Sequence, residues 1–273
     1  MPSTITHTLG SLSILERLNN EPKDLITKHI EDYKTFSQGM DPMFFYRFYN
    51  QGNYVIKAGY KFHKSNTLKV FKDIIEFSKK NIDKTDMPFI FLSGLTVHYV
   101  MDSNIHPYVN YHGYTDDKLG RQNNHFFIET HLDNYMLDKY NKDYYKKYKT
   151  FKHYKLQFNV KKDNYIVEML NNIFSKYYNL DNMGNIYYKS IKYMKFVFRF
   201  ARLDKLGIKK EIYKLIDKNH LPIRRIQYMS YNFDYKKNID KILNKDNKEW
   251  CNVKDKNIIS TKSFDELLEY TIE

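Results

Sequence analysis

Apolar residues recur at three- and four-residue spacing over long stretches of this chain, and only nine glycines and six prolines interrupt its 273 residues. A helix presents one face every 3.6 residues, whereas short strands alternate and need frequent Gly or Pro at their turns. The pattern therefore predicts an all-α fold. Helices are expected near 11–18, 22–36, 64–80, 87–105, 120–140, 143–157, 163–178, 185–201 and 208–219. Two starts carry a chemical signal. Asp86 precedes a helix with Pro88 in its first turn, and Ser263 with Glu266 forms an S-x-x-E capping box ahead of FDELLEYTI. The segment from Gln38 to Tyr60, with Gly39, Pro42, Gly52 and Gly59, is expected to be irregular and to wall a cleft. Its Tyr54, Ile56 alternation is too short to establish a hairpin. Residues 232–261, rich in Asn, Lys and Asp, are expected to form a long surface loop.

At 42% hydrophobic and 17% aromatic, the chain has apolar material for one sizeable core, and a single domain over 1–273 is expected. The longest apolar run, Met87 to Met101, carries His98 and falls short of the roughly 18 residues of a spanning helix. Residues 1–20 lack the basic start, apolar stretch and small-residue cleavage site of a secretory leader, so a cytoplasmic location is expected. Cys251 is the only cysteine, which excludes an intramolecular disulfide and a thiolate zinc cluster. Any metal must then be held by imidazole and carboxylate. A net charge of +13 favours anionic partners: phosphate esters, anionic lipid surfaces or nucleic acid. Lys, Asn, Tyr and Ile abound throughout, as an A/T-biased genome would give, and this composition accounts for the same charge without a partner.

Histidines and carboxylates recur at helical spacing. In SGLTVHYVMDSNIHPYV, His98, Asp102 and His106 are four residues apart and share one helix face. Pro107 disfavours helical geometry at His106, which is expected at a frayed end. In NNHFFIETHLD, His125 and Glu129 are again four apart, with Asp133 one turn further. One such pair is commonly a surface pair or a hydrogen-bonded core group. Two within one short stretch, flanked by LSGLTV and FFI, point to a shared zinc site.

The opening MPSTITH, then QGMDPMFFY, FHK, HYVMDSNIHPY and NNHFFIETHLD stand in an order and at distances that resemble the bacterial zinc-dependent phospholipase C family, whose fold is shared with single-strand-specific zinc nucleases. The likeness covers residues 1 to about 140 and resumes weakly at SFDELLEYTIE. It implies a compact multi-helix bundle holding two or three zinc ions. By that resemblance Asp41, His63, His98 and Asp102 bind the first zinc, and His106, His125 and Glu129 the second. His7 serves a third, with Asp102 bridging. In secreted relatives the free amino terminus also binds the third ion; here, loss of Met1 would expose a Pro2 amine five positions before His7. The step from Asp102 to His106 is shorter than in those relatives. His112 is therefore an alternative to His106.

The resemblance implies phosphodiester hydrolysis, with phospholipid the first substrate class. Asp41 is assigned two roles, zinc ligand and acceptor of the attacking water's proton. A single-strand nuclease or nucleotide phosphodiesterase is the enzyme alternative, and a zinc-stabilised binding module the non-catalytic one. Asp133 is read either as a carboxylate that orients a ligating imidazole or as a solvated helix position. His29, His131, His153 and His220 lack partners at motif spacing and are assigned to packing or surface. Residues 139–162, which interleave Lys with aromatics, form an amphipathic helix with its lysines in water or a stretch that grips phosphates. Met43 to Tyr49, MFFYRFY, is assigned to core and cleft wall, with one or two rings left to touch substrate.

Overall fold

The helical periodicity is realised in the computed structural model, which describes residues 4–50, 53–115, 121–140, 164–202, 235–237 and 239–273, with 208, 211, 212 and 215. These hold eleven α-helices and one two-stranded antiparallel ribbon. The expected helix around 143–157, most of that around 208–219, the stretch 139–162 beyond Tyr140, His153, His220 and Pro2 lie outside the described residues; positions 208, 211, 212 and 215 are helical. No described helix is long and apolar enough to cross a membrane. The chain divides into two compact units, each assembled from separated segments.

One unit, Leu18–Val97 with Phe151–Phe198, contains α2 (Asn20–Lys28), α3 (Ile30–Phe36), a 3-10 turn (Asp41–Phe45), α4 (Tyr54–Phe62) and α5 (Thr67–Asn81). It also takes the start of α6 (Met87–Thr115), then α8 (Asn164–Tyr178) and most of α9 (Met183–Arg202). Helix α8 packs on α4 and α5. Phe36, Phe91, Phe174 and Tyr187 are fully buried, with Phe36 and Phe91 edge to face at 5.0 Å. Burying each such ring stabilises the fold by about 1.5–3 kcal/mol. Gly94 is required here: a Cβ would stand 2.7 Å from the Phe36 carbonyl carbon. The expected helix 22–36 is two helices, broken at His29, which leaves helical geometry at φ −115° and ψ 32°. The segment expected to be irregular contains α4 instead. Asn53 opens it, its side chain accepting from the Val55 and Ile56 amides at 3.0 and 3.1 Å.

The other unit is Met1–Arg17, His98–Thr150 and Arg199–Glu273. Its helices are α1 (Thr4–Arg17), α6 from His98 onward, α7 (Arg121–Tyr140), α10 (Ile239–Leu243) and α11 (Phe264–Ile272). Helix α1 packs on α7 and α11. Gly10 lets α1 approach α6, since a Cβ there would run into the Met101 sulfur at 2.8 Å. The capping box of α11 forms as expected, with the Ser263 side chain accepting from Glu266 N and the Ser263 amide donating to the Glu266 carboxylate. The described part of 232–261 is more than loop: α10 is followed by strands β1 (Trp250–Cys251) and β2 (Ile259–Ser260). Trp250 is buried against Tyr108, centroids 5.4 Å apart, and donates to the Lys262 carbonyl at 2.9 Å.

Helix α6 does not end before Pro107 but continues through it to Thr115. A proline inside a helix costs about 3 kcal/mol through its missing donor and its clash with the preceding turn. Burial of Met101, Ile105, Tyr108 and Val109 on both sides offsets that cost. His106 therefore sits in mid-helix rather than at a frayed end.

Candidate metal centre

Helix spacing does for the side chains of α6 what the sequence predicts: His98, Asp102 and His106 stack on one face. The His98 Nε2 lies 3.4 Å from Asp102 Oδ2, and the His106 Nδ1 lies 3.0 Å from Asp102 Oδ1. Helix α1 brings His7 to the same carboxylate, its Nε2 3.1 Å from Asp102 Oδ1 and its ring 4.5 Å from that of His98. On α7, His125 and Glu129 stack in the same way, Nε2 to Oε1 at 2.8 Å. His106 faces this second carboxylate too, Nε2 to Oε1 at 3.5 Å.

Two groups of donors result, His7 with His98 and Asp102, and His106 with His125 and Glu129. Four of these residues, His7, Asp102, His106 and Glu129, line one cavity of about 20 Å³, room for a water-sized occupant. Its remaining walls are Thr6, Met101, Ile105, Val109 and Leu132.

Burial alone would push the Asp102 carboxyl up, but the imidazoles of His106 and His98 outweigh it and hold the group well below the usual carboxylate range. Glu129 is likewise held low against its burial, by His125 and His106. Burial would lower His106, yet Asp102 and Glu129 on its two sides push it up to about 10. The cluster draws positive charge inward. A divalent cation satisfies the same demand without a proton on each ring.

The donor set fits zinc. Ligands about 2.0–2.2 Å from a tetrahedral ion lie roughly 3.3–3.6 Å from one another. Of the four imidazole–carboxylate distances within the two groups, 3.4 and 3.5 Å are at that spacing, and 3.1 and 2.8 Å are shorter. Asp102 Oδ1, although close to two imidazoles, meets no hydrogen-bond geometry among the described residues, and neither does His7 Nδ1. These groups of imidazole and carboxylate atoms could hold a metal ion.

Asp133 is not a solvated helix position. It is 1% exposed, and its Oδ1 accepts from the amides of Ile5 and Thr6 at 3.1 and 2.8 Å and from Thr6 Oγ1 at 3.0 Å. A carboxylate 127 residues away in sequence thus caps α1 and complements its dipole. Because Asp133 is one turn beyond Glu129, the cap ties the helix of His7 to the helix of the second group. The i, i+4 step from Glu129 was the only sequence signal for it.

In the other unit, Asp41 and His63 form a pair. Asp41 stands at the start of the 3-10 turn and is 4% exposed; His63 ends α4. His63 Nδ1 donates to the Gly59 carbonyl at 2.8 Å, because a carbonyl can only accept. Its Nε2 faces Asp41 Oδ1 at 3.2 Å, where a proton or a cation is needed between them. The four residues that the resemblance assigns to the first zinc are thus divided between the units, Asp41 and His63 in one, His98 and Asp102 in the other.

His112 lies beside Tyr108 and Tyr111, and belongs to neither donor group. Its ring is near Tyr108 at 4.5 Å, and burial, with Lys241 nearby, lowers it to about 4. His106, not His112, is the residue that α6 turns toward Asp102 and Glu129. His131 is buried with Nδ1 2.7 Å from the Phe127 carbonyl, and His29 Nε2 lies 3.4 Å from Asp86 on a partly exposed face.

Comparisons with known protein families, with curated proteins and with solved structures find no match to this chain.

Proposed function

We propose that the protein is a zinc-dependent phosphodiester hydrolase, with phospholipid headgroup esters as its first substrate class. The observation that supports this reading is the convergence of His7, Asp102, His106 and Glu129 from α1, α6 and α7 on one cavity, with imidazole–carboxylate distances of 3.0 to 3.5 Å. The motifs that resemble zinc-dependent phospholipases C supply the substrate class. Two or three zinc ions per chain are proposed, with Asp102 shared between ions.

Zinc supplies Lewis acidity, making water a competent nucleophile at neutral pH and stabilising charge on phosphoryl oxygens. The residues of the chain do the rest. His7, His98 and Asp102 would hold one ion, and His106, His125 and Glu129 another. The walls Met101, Ile105, Val109 and Leu132 keep bulk water from these groups, which strengthens each electrostatic interaction inside. Asp41, on the strength of the resemblance, is both a ligand and the acceptor of a proton from the attacking water.

The test is a parallel assay of the zinc-loaded protein, with and without chelator, on mixed phospholipid vesicles and on single-stranded DNA. Chelator-sensitive release of a phosphorylated headgroup is expected. Cleavage of DNA alone moves the protein to the nuclease branch. Zinc that raises the melting temperature while neither substrate is cut leaves a metal-stabilised binding module and ends the hydrolase reading.

A further inference from the structure

A second surface, in the unit that holds Asp41 and His63, has chemistry of its own. The turn after the Asp41–Phe45 segment places Phe48 and Tyr49 against α9, where Tyr193 and Phe196 project. The rings of Phe48, Tyr49, Tyr193 and Phe196 touch in a chain, with centroids 5.7 Å apart for Phe48–Tyr49, 6.0 Å for Phe48–Tyr193, 6.4 Å for Tyr49–Tyr193 and 6.1 Å for Phe48–Phe196. Tyr49 is 53% and Phe196 51% exposed. Half-exposed aromatic rings in contact with one another form a patch, which isolated surface rings do not.

The cations around the patch complete it. Lys189, Lys192, Tyr193 and Phe196 follow one another at steps of three, one and three on α9, so lysines and rings share one helix face. Arg47 stands in the turn itself, at φ 45°, a conformation that non-glycine residues seldom hold, and its charge reaches Tyr193. Lys195 is lowered by burial and by Lys192, a like charge beside it. Among the described residues none of Arg47, Lys189, Lys192 and Lys195 has a carboxylate partner. The patch thus combines an apolar centre with uncompensated positive charge, which complements an anionic interface rather than a neutral one.

We propose that this face docks on an anionic phospholipid surface, with Tyr49 and Phe196 entering the headgroup boundary and Arg47, Lys189 and Lys192 on its phosphates. Three of the four ring contacts are close to perpendicular, at 73°, 73° and 76°, and the fourth, Phe48–Phe196, is stacked at 25°, so each of these rings has a neighbour against an edge or a face. That arrangement suits insertion of ring tips and not the stacking of bases, which needs open faces. Sequence pattern alone assigns Met43 to Tyr49 to core and cleft wall. The structure divides that run: Met43, Phe45 and Tyr46 are buried, and Tyr49 faces out.

The proposal stands apart from the hydrolase reading, and its test is run in chelator so that catalysis plays no part. The full chain is sedimented with sucrose-loaded vesicles of phosphatidylcholine, with and without phosphatidylserine. Binding is expected only with phosphatidylserine and is expected to weaken as salt screens the cations. Tyr49→Ser with Phe196→Ser is expected to lower partitioning by about tenfold or more. Lys192→Glu is expected to lower it by about fivefold or more. Unchanged circular dichroism shows that these exposed substitutions leave the fold alone. The proposal is overturned by absence of binding to the anionic vesicles, or by variants that bind as the parent does. It is equally overturned if the variants lose oligo-dT binding or self-association while vesicle binding is kept.

Discussion

Two histidine–carboxylate arrangements in this molecule differ in how far they can satisfy themselves. The Asp41–His63 pair has one carboxylate and one imidazole: His63 is fixed by the Gly59 carbonyl through Nδ1, and its Nε2 faces Asp41 Oδ1, which leaves the buried Asp41 Oδ2 without a hydrogen bond among the described residues. The cluster in the other unit gathers imidazoles from three helices around Asp102 and Glu129, two carboxylates held low against their burial. Burying such groups is costly unless each is compensated. A pair is a common structural device, whereas carboxylates set between imidazoles of different helices form groups that could hold ions.

The strongest way to break this contrast is Asp102→Ala. It removes the oxygen atoms that face His7, His98 and His106, and is expected to reduce turnover by about a thousandfold or more and to lower bound zinc. Unchanged zinc by elemental analysis would sink the bridging role. Asp41→Asn sharpens the contrast from the other side. It is expected to lower turnover by about a hundredfold, as loss of a proton acceptor does. Zinc held by His106, His125 and Glu129 should remain, which a stepwise chelator titration measures.

Smaller effects test how the cluster is positioned. Asp133→Asn keeps the shape of the cap but removes the charge that accepts three donors from the start of α1. A loss of about 1–3 kcal/mol is expected in urea unfolding. The zinc that His7 serves should weaken more than the one held by His125 and Glu129; equal weakening would make Asp133 a stability residue only. His112 gives a pH signature. Its folded value near 4 is below the ordinary histidine value, so the unfolded chain takes up the proton more readily. Its contribution is full above about pH 6.5 and is lost as pH falls toward 4, by up to about 3 kcal/mol. His112→Gln should flatten that part of the urea midpoint against pH.

Much of the local architecture was legible. Periodicity located α5, α7, α8 and α9 to within a few residues, and the Ser263–Glu266 box marked the start of α11, because these signals act within a turn or two of the chain. The α4 helix was missed because the glycines of Gln38 to Tyr60 outweighed the Asn53 cap in the pattern. The spacing of His98, Asp102 and His106, and of His125 and Glu129, told which side chains share a face. It did not tell that Pro107 would be carried within α6, where tertiary burial outweighs a local penalty.

The sequence by itself determined that the chain is helical, that any metal must be held by nitrogen and oxygen donors, and which ligand residues stack on one helix. Only the tertiary structure decided that Thr4–Arg17 is one helix and that it brings His7 to Asp102. The cap for that helix is Asp133, more than a hundred residues away. A capping carboxylate so distant leaves no periodic trace, because it acts through the packing of α1 on α7 and not through neighbours in the chain.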